Sequence, residues 1–370
     1  MTNTEADSDP QDRKPKLYQS KLTSSFFRPK HGSAEDTTTS PYLSKPVPEA
    51  SNSQADAAIP AQHERDSGKI PINLHPERRS NLARPPPNLK PTRSVMLAHT
   101  AAETRALLPN VLKTTPRAPA EGVLCHPGNL FRLDSRSCPR LPQTAIRVLN
   151  ADSIDAAIDL STPTVSQLPK KPVLVLNMAN AYHSGGGWLR GSLAQEEAMC
   201  YRSSLFFTLK YKFYPMPEAG GIYSPTVVVI RANRSSGHGL MDLSKPDDLP
   251  VFSCVSVAAI QGPAIEKDAG GNERYRRAGD REIMKEKMRV VLRIAAVKGH
   301  RVLVLGALGC GAFANPRGEV VECWKEVFSE SEFQGGWWEQ IVFAVMESGG
   351  TKEGDDNFGV FYKGLDGVMV

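Results

Sequence analysis

From about residue 91 onward, apolar positions recur at two different spacings. Over RSVMLAHTAAETRALLP and DREIMKEKMRVVLRIAAVKG they recur every three or four residues, which predicts amphipathic helices. The first helix is expected to place these residues on one side: Val95, Leu97, Ala101, Ala102 and Leu107. The second is expected to bury these: Ile283, Met284, Met288, Val291, Leu292 and Ala295.

Between the helical patterns lie short, continuous apolar runs. They read AIRVLN, VLVLNMA, SPTVVVIRA, PVFSCVSVAAI, RVLVLGAL and EQIVFAVME. Strands buried on both faces have this unbroken character. Further helices are predicted at DSIDAAIDL, capped by Asp152 or Ser153, at QEEAMCYRSSLFFTLK and at NPRGEVVECWKEVFS. Strands that alternate with helices indicate an α/β domain over residues 91–370 with a largely parallel central sheet.

The first 90 residues have a different composition. They hold twelve of the 29 prolines, no tryptophan, and long Ser, Thr, Asp, Glu and Lys stretches. Such a segment cannot bury enough apolar surface to offset its chain entropy. We therefore predict a disordered N-terminal arm over residues 1–90.

Composition and charge narrow the class of protein. The formal net charge of +5 weakly favours an anionic partner. The six cysteines show neither a C-x-x-C motif nor zinc spacing, which suggests reduced thiols of an intracellular protein in the nucleus or cytoplasm, with no metal. The start, MTNTEADSDP, does not read as a secretory signal, and no apolar stretch is long enough to span a membrane.

One stretch concentrates candidate chemistry at the end of an apolar strand. In LVLNMANAYHSGGGWLRGSLAQEE, Asn180 is followed after four residues by GGG and, seven residues later, by QEE. Glycines let backbone N–H groups approach a diphosphate, and a strand-end Asn suits a sugar hydroxyl. Ligands of parallel sheets bind beyond the carboxyl ends of strands, where this cluster and the glycines of 306–311 are predicted to lie.

The conjunction of these motifs resembles the signature of poly(ADP-ribose) glycohydrolases, in which GGG, a short spacer and QEE lie on a macrodomain. RSSLFFTLK, FYPMPEAGGIYSPTVVVIR and GALGCGAFANP are similar to the compact microbial branch of that family. The resemblance covers about residues 91–362. It implies a three-layer α/β/α fold with a mixed, mostly parallel sheet, and no cofactor. One departure is GALG where the family often has GAWG, which touches no reacting group.

The resemblance assigns roles to the first glycine cluster. Asn180 would bind the terminal ribose, and Glu196 would hold ribose hydroxyls. Glu197 would be the catalytic acid and base. The remaining residues assigned to substrate binding here are Gly185, Gly186 and Gly187, which would wrap the diphosphate, and Gln195.

The resemblance also assigns a second diphosphate-binding loop. Its residues are Gly309, Cys310, Gly311 and Ala312. Phe313 would pack against the distal ribose and orient it. For Trp188, directly after GGG, the sequence leaves two roles open: a lid over the site, or packing beneath the loop.

The chemistry of the residues agrees with this assignment. Cleaving a ribose–ribose bond needs a proton on the leaving oxygen as positive charge develops on the sugar. Adjacent helix residues point about 100° apart, so Glu196 and Glu197 cannot flank the bond as an opposed pair. One must be the acid and the other an orienting group.

The N-terminal arm contains one candidate partner motif. QSKLTSSFFRPK, residues 19–30, resembles a binding motif for the sliding clamp PCNA, with Gln19, Leu22, Phe26 and Phe27 as anchors. The aromatic pair lies one residue later than in the usual pattern. Apart from poly(ADP-ribose) on modified proteins and such a partner, we expect a monomer that neither reads nucleic-acid sequence nor binds membranes.

Two other functions stay open at this stage. A macrodomain that only binds ADP-ribose would need the glycine loops but not the two glutamates. A hydrolase that removes single ADP-ribose units from side chains would differ in its substrates. The intact QEE and the similarity to exo-acting enzymes favour release of ADP-ribose from polymer ends, as part of reversing ADP-ribosylation in the DNA damage response.

Overall fold

Apolar runs and amphipathic stretches form strands and helices in the order that the sequence predicts. The computed structural model describes residues 92–161 and 171–370, all within one compact unit, Ala83–Val370. The predicted disordered arm and the motif at 19–30 lie outside the described residues.

The strands are β1 (Val123–Cys125), β2 (Ile146–Leu149), β3 (Leu174–Met178), β4 (Gly221–Val228), β5 (Val251–Val257), β6 (Ile265–Lys267), β7 (Glu273–Tyr275), β8 (Val302–Leu305) and β9 (Gln340–Ala344). The helices are α1 (Arg93–Thr114), α2 (Ser153–Leu160), α3 (Gln195–Arg202), α4 (Leu205–Thr208), α5 (Ala278–Val297), α6 (Arg317–Ser329) and α7 (Asn357–Leu365).

Seven of the strands in the described ranges form one sheet, in the order β1-β4-β5-β3-β8-β9-β2. The pairs from β5 across to β2 are all parallel, whereas β1 and β5 pair with β4 in the antiparallel sense. This confirms the predicted mixed, mostly parallel sheet. Strands β3 and β8 are neighbours near its centre, so the loops that follow them meet at one edge.

Side chains of β3 alternate between two cores, because successive strand residues point to opposite faces of a sheet. Leu174 and Leu176 pack in the core that includes α5, α6 and α7. Val173 and Val175 pack with α1, α2 and α3 on the other side. The three-layer α/β/α arrangement therefore follows from strands that are apolar on both faces.

Helix α1 turns a different face inward from the one expected. Val95 is half exposed and Ala102 is exposed, so these two assignments were wrong. The buried residues follow a regular helical spacing: Leu97, Ala101, Thr104, Leu108 and Val111. Thr104 fits on this face because its hydroxyl donates to the Tyr201 carbonyl on α3, at 2.9 Å. In α5, Ile283 is only partly buried, whereas its five predicted companions are buried.

The apolar pattern predicted a single helix over residues 195–210, and this prediction was wrong. Helix α3 stops at Arg202, and Ser203 is extended and bridges to Val229. The Ser203 hydroxyl donates to the Met199 carbonyl, and the Ser204 hydroxyl accepts from the Val228 amide. Serines that bond backbone groups in this way compete with helix formation, so α4 starts only at Leu205.

A buried arginine fixes the far end of α3. The guanidinium of Arg202, which is 1% exposed, contacts the Asp152 and Asp155 carboxylates at 2.5 and 2.6 Å. Asp152 also caps α2, as predicted, by accepting the amides of Ile154 and Asp155. Helices α2 and α3 are thus locked together, which holds the first turn of α3 in a fixed place.

Candidate active site

Strand β3 delivers Asn180 to the edge of the sheet, two residues after the strand ends. The Asn180 Oδ1 accepts the backbone amides of Tyr182 and His183, at 2.8 and 3.0 Å. Its side-chain oxygen therefore shapes the turn, and its amide nitrogen is the group that can donate to a ribose hydroxyl. Its own backbone N–H donates to the Glu196 Oε2 at 2.8 Å.

The glycine run forms a tight turn over the start of α3. Gly185 and Gly186 have φ of 69° and 58°, in the left-handed region that favours glycine. A Cβ added at Gly186 would overlap the Glu197 Oε1 and lie 3.2 Å from the Glu196 Oε2. Both carboxylates thus lie directly against Gly186, and only glycine leaves room for them.

Glu196 is almost fully withdrawn from water, at 3% exposure. Besides the Asn180 amide, its carboxylate faces the Asn177 Nδ2 at 3.2 Å, and that nitrogen also donates to the Ser256 hydroxyl at 3.0 Å. Burial raises the pKa of Glu196 to about 8. At neutral pH this residue is therefore mostly a neutral carboxylic acid.

Glu197 is held by backbone donors alone. Its Oε1 accepts the Gly187 amide at 2.9 Å and its Oε2 accepts the Ala194 amide at 3.0 Å. Ala194 precedes the first residue of α3, so Glu197 satisfies one of the free N–H groups at the helix start. This side chain couples the glycine turn to the helix and is 8% exposed.

Gln195 ties α3 to the end of β3. Its Oε1 accepts the Met178 amide at 2.9 Å and its Nε2 donates to the Leu176 carbonyl at 2.8 Å. The predicted substrate-binding role remains a prediction, but both ends of this side-chain amide are engaged by the strand. Gln195 therefore sets the distance between β3 and the two glutamates.

The second glycine cluster is caged by an asparagine that sequence reasoning missed. The loop 306–315 directly follows β8, and Gly309 has φ of 78°. The buried Asn315 Nδ2 donates to the carbonyls of Ile260 and Gly309, at 2.7 and 3.1 Å. Its Oδ1 accepts the Tyr275 hydroxyl at 2.8 Å. A neutral amide thus fixes the shape of this loop.

A cleft of about 110 Å³ lies between the start of α3 and the second cluster. Predicted site residues in its lining are Gln195, Gly309, Gly311, Ala312 and Phe313. The Cys310 side chain instead packs into the core, where burial raises the pKa of its thiol to about 12. The structure thus places Gln195 of the first cluster beside the second loop, with Glu196 and Glu197 next along α3.

Trp188 packs beneath the glycine turn and is no lid. It is fully buried, and its ring lies 4.9 Å from that of Phe206, between centroids. The Tyr201 hydroxyl lies 3.0 and 2.6 Å from the carbonyls of Trp188 and Ser192. The side chains under the turn therefore hold it from below.

Asn177 and Asn315 are the functional candidates that the sequence did not reveal. Asn177 stands inside an apolar strand and Asn315 follows a glycine loop, so neither belongs to a periodic polar pattern. A polar residue inside a fully apolar run is the signal that could have found Asn177, because burial demands hydrogen-bond partners. Its Oδ1 has none among the described residues, which leaves an acceptor beside Glu196.

Metal-binding clusters and membrane-spanning helices are both absent from the described ranges. Within 92–161 and 171–370, no group of three or more His, Cys, Asp or Glu side chains is placed to hold a metal ion. Across the same ranges, no helix combines the length and apolar character needed to cross a membrane.

Comparison with known proteins shows what this chain is similar to. Residues 113–232 match the family model described as microbial-type PARG, catalytic domain. A search of the curated proteins finds no match.

Solved structures support the same relationship. Poly(ADP-ribose) glycohydrolase from Thermomonospora curvata is 25% identical, with a TM-score of 0.55, covering 72% of this chain and 98% of that one. A point mutant of the Deinococcus radiodurans glycohydrolase, solved with ADP-ribose, is 25% identical, with a TM-score of 0.53, covering 66% and 94%. With the glycine turn, the paired glutamates and the second loop in place, this chain is similar to the microbial-type poly(ADP-ribose) glycohydrolases.

Proposed function

We propose that this chain hydrolyses the ribose–ribose O-glycosidic bonds of poly(ADP-ribose) attached to proteins and releases ADP-ribose. One observation carries the proposal. Glu196 and Glu197 lie directly against the glycine turn, and Gln195, the residue before them, lines a cleft together with the second glycine loop. Such a site offers backbone N–H groups for a diphosphate and carboxylic acids for the sugar at one end.

Glu197 is the proposed proton donor. As the bond from the anomeric carbon to the leaving oxygen breaks, the proton of Glu197 passes to that oxygen and positive charge develops on the ribose. The anionic diphosphate, held between the two loops, stabilises this charge. Glu197, now a carboxylate, then takes a proton from water, whose oxygen bonds to the anomeric carbon. The products are ADP-ribose and a polymer shortened by one unit, and Glu197 is again protonated.

Glu196 is the proposed orienting group. Because burial keeps it mostly neutral at pH 7, it can both donate to and accept from ribose hydroxyls. The Asn180 amide nitrogen is a second donor beside it. Two groups that fix the ribose hydroxyls hold the anomeric carbon in a constant position relative to Glu197.

We further propose that cleavage proceeds from chain ends, by a monomer in the nucleus or cytoplasm. The motif at 19–30 would bring the enzyme to a partner such as the sliding clamp. The proposal of end cleavage rests on the resemblance to exo-acting enzymes. Product analysis tests this, since an end-acting enzyme releases monomeric ADP-ribose from the start of the reaction, without short oligomers.

Two rival functions make different predictions. A reader of ADP-ribose would bind the nucleotide without releasing any from polymer. A hydrolase for single units would cleave a protein–ribose ester in preference to a ribose–ribose bond. The two glutamates held in the site by specific donors favour chemistry over binding alone.

The deciding experiment is a substrate panel on the full chain. We expect release of ADP-ribose from automodified poly(ADP-ribosyl) protein, little release from a mono-ADP-ribosylated glutamate peptide, and binding of free ADP-ribose. Binding without release from either substrate would make the protein a reader. Faster release from the peptide than from the polymer would make it a single-unit hydrolase.

A further inference from the structure

Two tyrosines beside the catalytic turn are exposed to an unusual degree. Tyr182 is 65% exposed and Tyr211 is 91% exposed. Large aromatic side chains are costly to leave in water and are mostly buried elsewhere in the described domain. We call the exposed residues of the segments beside the turn, Tyr182, His183, Arg190, Tyr211 and Lys212, the rim patch.

Hydrogen bonds join the two segments that carry these tyrosines. The Met216 amide donates to the Ala181 carbonyl at 2.8 Å. The Ser184 hydroxyl donates to the Leu209 carbonyl at 2.7 Å. In the sequence, Tyr182 lies between Ala181 and Ser184, and Tyr211 lies between Leu209 and Met216. The rim patch therefore has a fixed backbone and borders the turn that begins at Asn180.

Between residues 180 and 214 the acidic side chains are buried, whereas the exposed charged side chains are cationic. The two acidic residues, Glu196 and Glu197, are 3% and 8% exposed. The exposed charged residues between 180 and 214 are Arg190 and Lys212, and both are cationic. Lys210, which is partly exposed, donates to the Phe207 carbonyl. A ligand on the rim patch thus meets aromatic faces and positive charge, which suits a nucleotide polyanion.

We propose that the rim patch binds the polymer unit that leaves, with its adenine stacked on Tyr182 or Tyr211 and its phosphates near Arg190 and Lys212. This inference rests on the proposed function. In poly(ADP-ribose) the leaving oxygen belongs to the ribose of the next adenosine. When Glu197 protonates that oxygen, this adenosine must therefore lie within about one nucleoside length, outside the cleft that holds the terminal unit.

The patch would select polymer over shorter substrates. Each base–aromatic stack contributes about tenfold in binding or more, and every base presents a face for it. A substrate with the same terminal ADP-ribose but without the leaving adenosine would gain nothing from the patch. The rim patch would thus determine the preference for polymer, and Glu197 would carry out the bond cleavage.

The test compares two substrates in steady-state kinetics of the full chain. One is poly(ADP-ribose), and the other is ADP-ribose carrying a fluorescent aryl ether at the anomeric carbon. For Tyr182→Ala and Tyr211→Ala combined, we expect KM for polymer to rise about tenfold or more while KM for the aryl ether changes less than about twofold. The double Tyr→Phe variant should behave as wild type, because the aromatic faces remain. Lys212→Gln should weaken the salt dependence of KM for polymer.

Phe131→Ala is the matched control. Phe131 is 75% exposed, and the neighbouring Arg132 donates to the Ser331 hydroxyl. Helix α6 begins beside the second loop and is 13 residues long, so Ser331 lies roughly 20 Å from that loop. We expect this variant to match wild type with both substrates.

The outcomes separate the inference from the function beneath it. Equal losses on both substrates, or no change in KM for polymer, would overturn the rim patch and leave the proposed function standing. A wild-type protein that cleaves neither substrate would overturn the proposed function, and this inference with it.

Discussion

The two glycine loops follow neighbouring parallel strands, yet they are stabilised in opposite ways. The first, residues 181–194 after β3, is held from beneath by the acidic side chains of Glu196 and Glu197. The second, residues 306–315 after β8, contains no ionisable group except Cys310 and is closed by the neutral amide of Asn315. We propose that similar glycine geometry serves two purposes, proton chemistry in one loop and passive binding in the other.

The difference has an energetic side. Burying carboxyl groups costs free energy, and protonation of Glu196 reduces this cost only while the pH stays below its raised pKa. A neutral amide has no such dependence. The stability of the first loop should thus vary with pH and that of the second should not, and substitutions in the two loops should affect different kinetic constants.

Replacement of Glu197 tests the first loop most severely. Glu197→Gln preserves size and removes the transferable proton, so we expect kcat on poly(ADP-ribose) to fall about 10²- to 10⁴-fold. Binding of ADP-ribose should change only a few-fold, since a Gln oxygen can still accept the Gly187 amide. Single-turnover kinetics and calorimetric titration measure the two quantities. Retention of more than a tenth of wild-type kcat would show that Glu197 is not the acid.

Replacement of Glu196 should reveal the cost of its burial. In the unfolded chain Glu196 ionises near its ordinary pKa of 4.5, whereas in the fold it stays protonated up to about pH 8. The folded state therefore binds more protons between these values, and wild-type stability falls as the pH rises through this window. Glu196→Gln lacks this loss, so its stability relative to wild type should grow by about 4 kcal/mol from pH 4.5 to pH 8, to order of magnitude.

Urea unfolding of both proteins at pH values of about 4.5, 6.5 and 8.5 measures this trend. Asn177 assists the variant, because its buried, unpartnered Oδ1 can accept the new amide if the Asn177 side chain turns over. A stability difference that is constant across the three pH values would mean that Glu196 is ionised in the fold at neutral pH.

Asn315→Ala addresses the second loop. The change leaves the buried Tyr275 hydroxyl and the carbonyls of Ile260 and Gly309 without their partner. We expect a loss of about 2–3 kcal/mol in unfolding free energy that is independent of pH. In the proposed division of roles this loop binds the diphosphate and transfers no proton, so the Kd of ADP-ribose should rise about tenfold while kcat at saturating polymer stays within a factor of about three. A fall in kcat with unchanged Kd would contradict the division of labour between the loops.

The general architecture was accessible from sequence because it depends on repeated signals. Unbroken apolar runs predicted the strands of the parallel core, and Asp152 was identified as the α2 cap. The short edge strand β1, the hairpin of β6 and β7, and helix α7 were missed, since elements of a few residues carry too little periodicity. The face of α1 was misjudged because Thr104 reads as polar, although it is buried against Tyr201.

The candidate site shows the same contrast between motifs that spacing reveals and single polar residues that it does not. The glycine clusters at strand ends could be located from spacing, and the roles of their residues remain predictions carried by the family resemblance. Three supporting groups could not be located from sequence spacing, because each acts through partners distant in the chain: Asn177, Arg202 and Asn315. Arg202, for example, contacts Asp152 and Asp155, about 50 residues away. Single polar residues reveal such partnerships only once the chain is folded.

The smallest effect expected concerns a glycine of the second loop and a control just beyond it. At Gly309, with φ of 78°, an added Cβ would overlap the Asn315 Nδ2 and lie 2.6 Å from the Ala259 Cβ. Gly309→Ala should cost about 1–2 kcal/mol in stability, since it strains the backbone and shifts the amide that cages the loop. ADP-ribose binding should weaken a few-fold, without a change in the pH profile.

Gly318→Ala, in the first turn of α6, meets nothing within 4 Å and should stabilise the protein by about 0.5 kcal/mol through helix propensity. Both variants add one methyl group near the same loop. Comparing their thermal unfolding and ADP-ribose titrations therefore separates the effect of the Gly309 backbone geometry from the effect of added volume. If Gly309→Ala bound ADP-ribose as tightly as Gly318→Ala, the second loop would be able to relax. Its shape would then depend on the ligand. The interpretation that Asn315 holds the loop rigid would be wrong.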